Sequence, residues 1–196
     1  MSDDIREKLI EECLDNRMFI INKGIDDSLI EDVIMHIINI NIEDSLAEAE
    51  SKSYDRKKNP IKLYINSNGG DASSMFSLIN VMETSKTPIF TYCLGKAYSA
   101  AFMIFITGHV RFAQKYSSLM YHQTSYVRGG EHQYHAELFD YDNEIQDIAE
   151  AHVVKYTKIP KKNLDEIRKS KVDWYFIASS KADMYRSKWK VFDFYY

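Results

Sequence analysis

Three times along this chain a short apolar run stops at a turn and gives way at once to a segment with helical apolar spacing. Residues 18–22 (MFIIN) end at Lys23-Gly24. Asp26, Asp27 and Ser28 then offer capping oxygens to a helix with Leu29, Ile30, Val33, Ile34, Ile37 and Ile38 on one face. Residues 61–66 (IKLYIN) end at Ser67-Asn68-Gly69-Gly70, and Asp71 starts a helix whose apolar side is Met75, Phe76, Leu78, Ile79 and Met82. Residues 89–94 (IFTYCL) end at Gly95, before an apolar helix that contains Ser99. Repeated strand–turn–helix units close through right-handed crossovers, so the pattern predicts an α/β fold on a largely parallel sheet.

The remaining segments fit the same plan. Residues 111–113 and 118–121 predict short strands, and residues 189–193 a closing strand. Residues 132–157 predict a long amphipathic helix carrying Leu138, Tyr141, Ile145, Ile148, Ala149, His152, Val153 and Tyr156 at helical spacing; residues 160–170 predict a short charged one. The polar stretch 43–60, which ends in Asp55-Arg56-Lys57-Lys58-Asn59, reads as a solvated loop. A length of 196 residues with only 7 Gly and 3 Pro suits one domain over 1–196 and excludes a collagen-like or disordered chain. Within it, residues 1–16 form an acidic N-terminal segment with neither the charged-then-apolar order of a secretory signal nor the basic character of a transit peptide.

Charge and cysteine usage narrow the function classes. With 25 basic and 29 acidic side chains the net charge is −4, which disfavours a nucleic-acid-binding module. Cys13 and Cys93 lack metal-ligand spacing and are too few for a disulfide framework, so they suit a reducing, cytoplasmic compartment. The richest apolar run, residues 97–108, is too short to span a bilayer and reads as a buried helix, so no membrane contact is expected. No GxxxxGK[ST] string occurs, so ATP is not bound by a P-loop.

Two places could carry chemistry. Gly69-Gly70, between a strand and a helix, suits a phosphate cradle, an oxyanion hole or simply a tight turn. Ser99 lies near a helix N-terminus among the small residues Ala97, Ala100 and Ala101, which suits a helix cap or a nucleophile. A nucleophile needs a base, and six histidines are available. His122 stands out, because it ends a strand and active-site groups in open α/β sheets gather at strand carboxyl ends. At His132 and His135 no cysteine or neighbouring carboxylate completes a convincing metal site, so neither a metal nor another cofactor is expected.

The strings LYINSNGG (63–70), GKAYSAAF (95–102), RFA (111–113), LMYHQ (119–123) and VDWYFIA (172–178) stand in an order that resembles the proteolytic subunit family of the ATP-dependent Clp proteases. The resemblance runs from about residue 17 to 178. It implies a crotonase-like fold, Ser99 as nucleophile, His122 as general base and Asp173 as the group orienting His122. The main-chain N–H groups of Gly70 and Ala100 would form the oxyanion hole. It further implies a serine endopeptidase that assembles as a homo-oligomer of seven-membered rings, two stacked around a closed chamber. A handle at about 125–157 joins the rings, residues 128–131 being the extended stretch before its helix. A separate AAA+ Clp ATPase uses ATP to feed polypeptides into the chamber.

Several positions depart from the family pattern. Asn68 replaces a proline in the glycine turn, and Thr124 replaces the proline after His122-Gln123. Tyr98 and Lys96 flank Ser99; the first is expected to narrow the cleft, and the second raises a rival Ser–Lys pairing. Lys62 stands where the unfoldase-docking strand is often aromatic, and residues 185–193 replace the usual C-terminal string, so docking is expected to be weak or specialised. The alternatives are a catalytically silent ring subunit, with Tyr98 blocking the site, and an acyl-CoA enzyme of the wider crotonase group. A viral head-maturation peptidase is a specialised form of the leading reading.

Overall fold

The computed structural model describes residues 3–123 and 132–178. Two strands, β2 (Ile61–Ser67) and β3 (Ile89–Tyr98), pair in parallel at the centre of the sheet, with β1 (Met18–Ile21) outside β2. On the other side of β3, β4 (Val110–Ala113) pairs with its first half and β5 (Ser118–Tyr121) with its end, again in parallel. Among the described strands only β6 (Trp174–Ile177) runs antiparallel, against β5. The α/β class and the largely parallel sheet predicted from the segment pattern are thus observed, in the manner of the crotonase-like fold.

Burial follows the strand period. Ile61, Leu63, Ile65 and Ser67 of β2 face the core, while Lys62, Tyr64 and Asn66 lie half-buried on the opposite face. Across the core, α3 (Ala72–Thr84) starts where Asp71 accepts a hydrogen bond from the Ser74 N–H at 2.6 Å, and α4 (Ala100–Thr107) is buried at every residue. The short apolar run is therefore a central helix, as its composition predicts. Flanking it are α5 (His132–Tyr156) and α6 (Lys161–Ser170), with α1 (Asp3–Asp15) and α2 (Met35–Glu50) at the amino-terminal side of the chain.

Four expectations change. The stretch 43–60 is not a solvated loop: α2 runs to Glu50, Asp44 is fully buried, and Arg56 is buried against Glu48. Arg17, Thr87 and Tyr54 all donate to the Asp44 carboxylate, which explains how charged residues sit inside. The helix after Ser28 begins as a single π-helical turn, Ile30–Ile34, and Ile30 and Ile38 are exposed rather than on the buried face. Gly95 lies inside β3 rather than ending it. On α5, Tyr141 and Ile148 are exposed, while Gln146 and Glu150 are buried in their stead. Residues 125–131 and the predicted strand 189–193 lie outside the described residues.

Candidate active site

A bulge in the central pair aims the chain at the site. Ile65 pairs with Cys93, but the next partners are Ser67 and Ala97, so β3 carries extra residues there. Gly95 sits in this bulge, where a Cβ would lie 2.8 Å from Asn66 Oδ1. Beyond it the tail of β3 pairs with β5, and the Ser99 N–H donates to the Met120 carbonyl at 2.9 Å. The chain then turns sharply into α4, with Ser99 at φ 54° and ψ −122°. A non-glycine residue held there costs on the order of 1–3 kcal/mol, a strain found at functional turns.

Of the two roles open to Ser99, capping is not observed: its side chain makes no cap hydrogen bond to α4. The hydroxyl instead lies 2.7 Å from His122 Nε2. His122 follows β5, at the strand end that sequence reasoning selected. Asp173 arrives from the other direction. It follows α6 and precedes β6, and the Tyr121–Trp174 pairing brings it opposite His122. Its Oδ1 is 3.8 Å from His122 Nδ1, beyond hydrogen-bond reach, and its side chain is 48% exposed. The Tyr175 hydroxyl donates to its other oxygen at 3.4 Å.

The glycine turn abuts this pair. A Cβ on Gly69 would meet the Tyr98 carbonyl oxygen at 2.5 Å and Ser99 Cβ at 2.8 Å, and Gly69 itself has φ 91°, so the residue must be glycine. A Cβ on Gly70 would overlap the Ile25 carbonyl oxygen. Ile25 bridges this turn by donating to the Gly69 carbonyl and accepting from the Asp71 N–H. That parallel pattern directs the Gly70 N–H away from Ile25, and Gly70 lines the same cavity as Ser99. Ala100 also lines it, and as the first residue of α4 its N–H has no acceptor within the helix. The cavity, about 200 Å³, has apolar walls from Met75, Phe76, Met103 and Ile145. Such a space accepts an apolar side chain beside the hydroxyl–imidazole pair.

The other candidates stand apart. His109 Nδ1 accepts from the Ile89 N–H at 3.1 Å, His36 packs on Phe19, and His152 is buried against Thr107. Tyr98 packs edge-on against Tyr175 and is not among the walls of that cavity. Among the described residues no hydrogen bond or ion pair joins Lys96 to Ser99, and no cluster of three or more His, Cys, Asp or Glu side chains could hold a metal ion. No helix among them is long and apolar enough to cross a membrane. Sequence reasoning missed the buried Gln146 and Glu150 behind Tyr121; their four-residue spacing on one helix was the available signal.

The family model of Clp protease matches residues 2–185. The ATP-dependent Clp protease proteolytic subunit 1 of Rhodopirellula baltica is 30% identical over 141 residues, covering 68% of this chain and 58% of its own length. The ATP-dependent Clp protease proteolytic subunit of Bdellovibrio bacteriovorus is 26% identical over 131 residues, covering 66% of this chain and 54% of its own. The chain thus spans little more than half the length of the curated relatives it matches.

Proposed function

This chain belongs to the Clp protease family, and we propose that it is a self-compartmentalising serine endopeptidase subunit cleaving unfolded polypeptides or short peptides. The observation that carries the proposal is the Ser99 Oγ–His122 Nε2 contact of 2.7 Å at a cavity that Gly70 and Ala100 also line. In this reading the neutral imidazole carries its proton on Nδ1, and Nε2 takes the Ser99 proton as Oγ attacks the peptide carbonyl carbon. The N–H groups of Gly70 and Ala100 bind the oxyanion; removing such a donor costs about 10²–10³ in rate. His122 returns the proton to the leaving amine, and water repeats the sequence to free the acyl group. Asp173 stabilises the imidazolium and closes on Nδ1 when substrate or neighbouring subunits draw it in.

The test is a fluorophosphonate adduct read by intact mass, with a Ser99→Ala control. One adduct on the wild type and none on the variant is expected; labelling that survives Ser99→Ala overturns the proposal. One observation favours the second reading, a silent ring subunit: the His122–Asp173 approach of 3.8 Å leaves the imidazole without its orienting hydrogen bond. An unreactive Ser99 in assembled rings would decide for it.

The assembly proposed is a homo-oligomer of seven-membered rings, stacked in pairs through α5 and supplied by an AAA+ Clp ATPase that consumes the ATP. Exposed Tyr141 and Ile148 on α5 support the stacking role. Tyr64, Tyr92 and Phe112 stack at 4.6 Å and 4.5 Å on the sheet face opposite the core, where an apolar docking loop would sit, but Lys62 lies on the same strand face. Docking is therefore proposed to be weak or specialised, and strong stimulation by an ordinary cognate Clp ATPase would count against it. Cys13 and Cys93 are free, as a cytoplasmic protein would keep them.

A further inference from the structure

Glu150 is a carboxylate on α5 whose side chain is 1% exposed. A charge that deep must be paired, and its partners come from two directions. On one side are the two ends of α6. Lys161, the first residue of that helix, donates to Oε2 at 2.6 Å, and Arg168, in its last turn, brings Nη1 to 3.6 Å from Oε1. Arg168 also donates to Asp147 at 2.5 Å and to Asn143 at 3.1 Å, so α6 is pinned to α5 along its length. On the other side Gln146 donates to Glu150 Oε1 at 2.8 Å and approaches the Tyr121 hydroxyl at 3.2 Å. Tyr121 is buried, lines the cavity beside Ser99 and immediately precedes His122.

One carboxylate therefore ties together the two segments that deliver the site. The strand end bearing His122 hangs from Gln146 through Tyr121. Asp173 leaves α6 two residues after Lys171, the left-handed residue that ends this helix at φ 54°. The distance between His122 Nδ1 and Asp173 Oδ1 is 3.8 Å, so a displacement of α6 by less than 1 Å decides whether a hydrogen bond forms there. We propose that Glu150 is a positioning residue of this site, setting α6 against β5 so that Asp173 can close on His122. This rests on the peptidase reading. A buried ion pair is poor evidence of stabilisation, because well-packed apolar groups at the same place do as well. What a charge adds here is a fixed geometry between three elements.

The experiment uses the full chain with Glu150→Gln, Tyr121→Phe and, as a control, Val153→Ala, a fully buried core residue on the same helix that is not a cavity wall. Each is read by the second-order rate of fluorophosphonate labelling, by kcat and KM on a small ester, and by thermal midpoint. Glu150→Gln is expected to slow labelling about tenfold or more and to lower kcat with KM unchanged, and Tyr121→Phe to slow labelling about threefold. Val153→Ala is expected to lower the midpoint while labelling stays within about twofold of wild type. Equal slowing by Glu150→Gln and Val153→Ala at matched midpoints assigns Glu150 a merely structural role and overturns the inference. So does a Glu150→Gln variant that labels like wild type. Should Glu150→Gln not fold, an unchanged rate in Tyr121→Phe overturns it. A wild type that does not label overturns the peptidase reading and this inference with it; a reactive wild type beside an unaffected Glu150→Gln overturns this inference alone.

Discussion

Ser99 bears two demands that can be separated, one on its hydroxyl and one on its backbone. The hydroxyl faces His122, while the backbone is held at φ 54°, where a Cβ is strained. Ser99→Ala and Ser99→Gly both remove the hydroxyl, but only alanine keeps the strain. The glycine variant should therefore be more stable than the alanine variant by about 1 kcal/mol, with both inactive; matched denaturant midpoints would refute this. Asp173 is a different case. It is half exposed and 3.8 Å from its partner in the single chain, but the proposed mechanism closes it on His122, so Asp173→Asn should cost on the order of 10⁴ in ester hydrolysis. A loss of only about tenfold to a hundredfold would mean that the contact stays open in the working state. Ser99, His122 and Asp173 could be named as candidates from the sequence because each stands in a short string with its neighbours. The unformed Asp173 contact was not legible, since a string fixes residue types and order but not a distance of a fraction of an ångström between two separate elements.

The helices were less legible than the strands, and α5 is the clearest example. Period alone placed Tyr141 and Ile148 on the buried face with His152 and Val153, whereas among the described side chains of α5 the buried ones are Gln146, Ala149, Glu150, His152 and Val153. Polar residues entered the core because partners satisfy them, and beyond the Gln146–Glu150 pair those partners lie on other elements, as Tyr121 does for Gln146 and Thr107 for His152. The same holds at Asp44. Burial opposes its ionisation, but hydrogen bonds from Arg17, Thr87 and Tyr54 outweigh this and hold its pKa below the usual carboxylate range. His152 offers a measurable consequence. Burial pushes its imidazole from 6.5 down to about 4, against the opposing pull of Glu83, and its Nε2 lies 2.8 Å from the Thr107 hydroxyl. Lys155 and Arg111 add to the depression. A depressed base binds its proton more readily in the unfolded chain, so stability is complete above pH 6.5 and falls as the pH drops toward 4. The loss should approach ~3 kcal/mol. Glu83, whose pKa is itself lowered from 4.5, adds its own loss only below that value. Denaturant unfolding between pH 6.5 and 4.5 should thus slope steeply in wild type and much less in His152→Gln. His109, also pushed down by burial, leaves a residual slope in the variant. Equal slopes would remove His152 from the account.

At the scale of the molecule, apolar side chains are left exposed on several elements, and two of the helices that carry them, α2 and α5, bear on assembly. Along α2, Met35, Ile38, Ile42 and Leu46 form a ridge at helical spacing, exposed by 59%, 48%, 54% and 60%. Beside it a groove of about 470 Å³ opens toward Val81 on α3. Along α5, Tyr141 and Ile148 are exposed by 55% and 46%. Burying one such aliphatic side chain is worth roughly 1.5–3 kcal/mol, so a solitary chain forgoes several times that amount. Two independent faces also match an assembly with two kinds of contact, one within a ring and one between stacked rings. A single self-complementary face would serve only a closed dimer. The two contacts should then come apart separately. Ile148→Asp, on the helix proposed to stack the rings, should give a particle of about half the wild-type mass in sedimentation velocity, because each proposed ring would survive. Ile42→Asp, on the α2 ridge, should instead collapse the assembly to species far smaller than a ring, with peptide hydrolysis falling alongside. If both variants sediment like wild type, neither face is an interface. If both yield the same small species, the two faces serve one contact, and the stacked-ring architecture must be abandoned for a simpler oligomer.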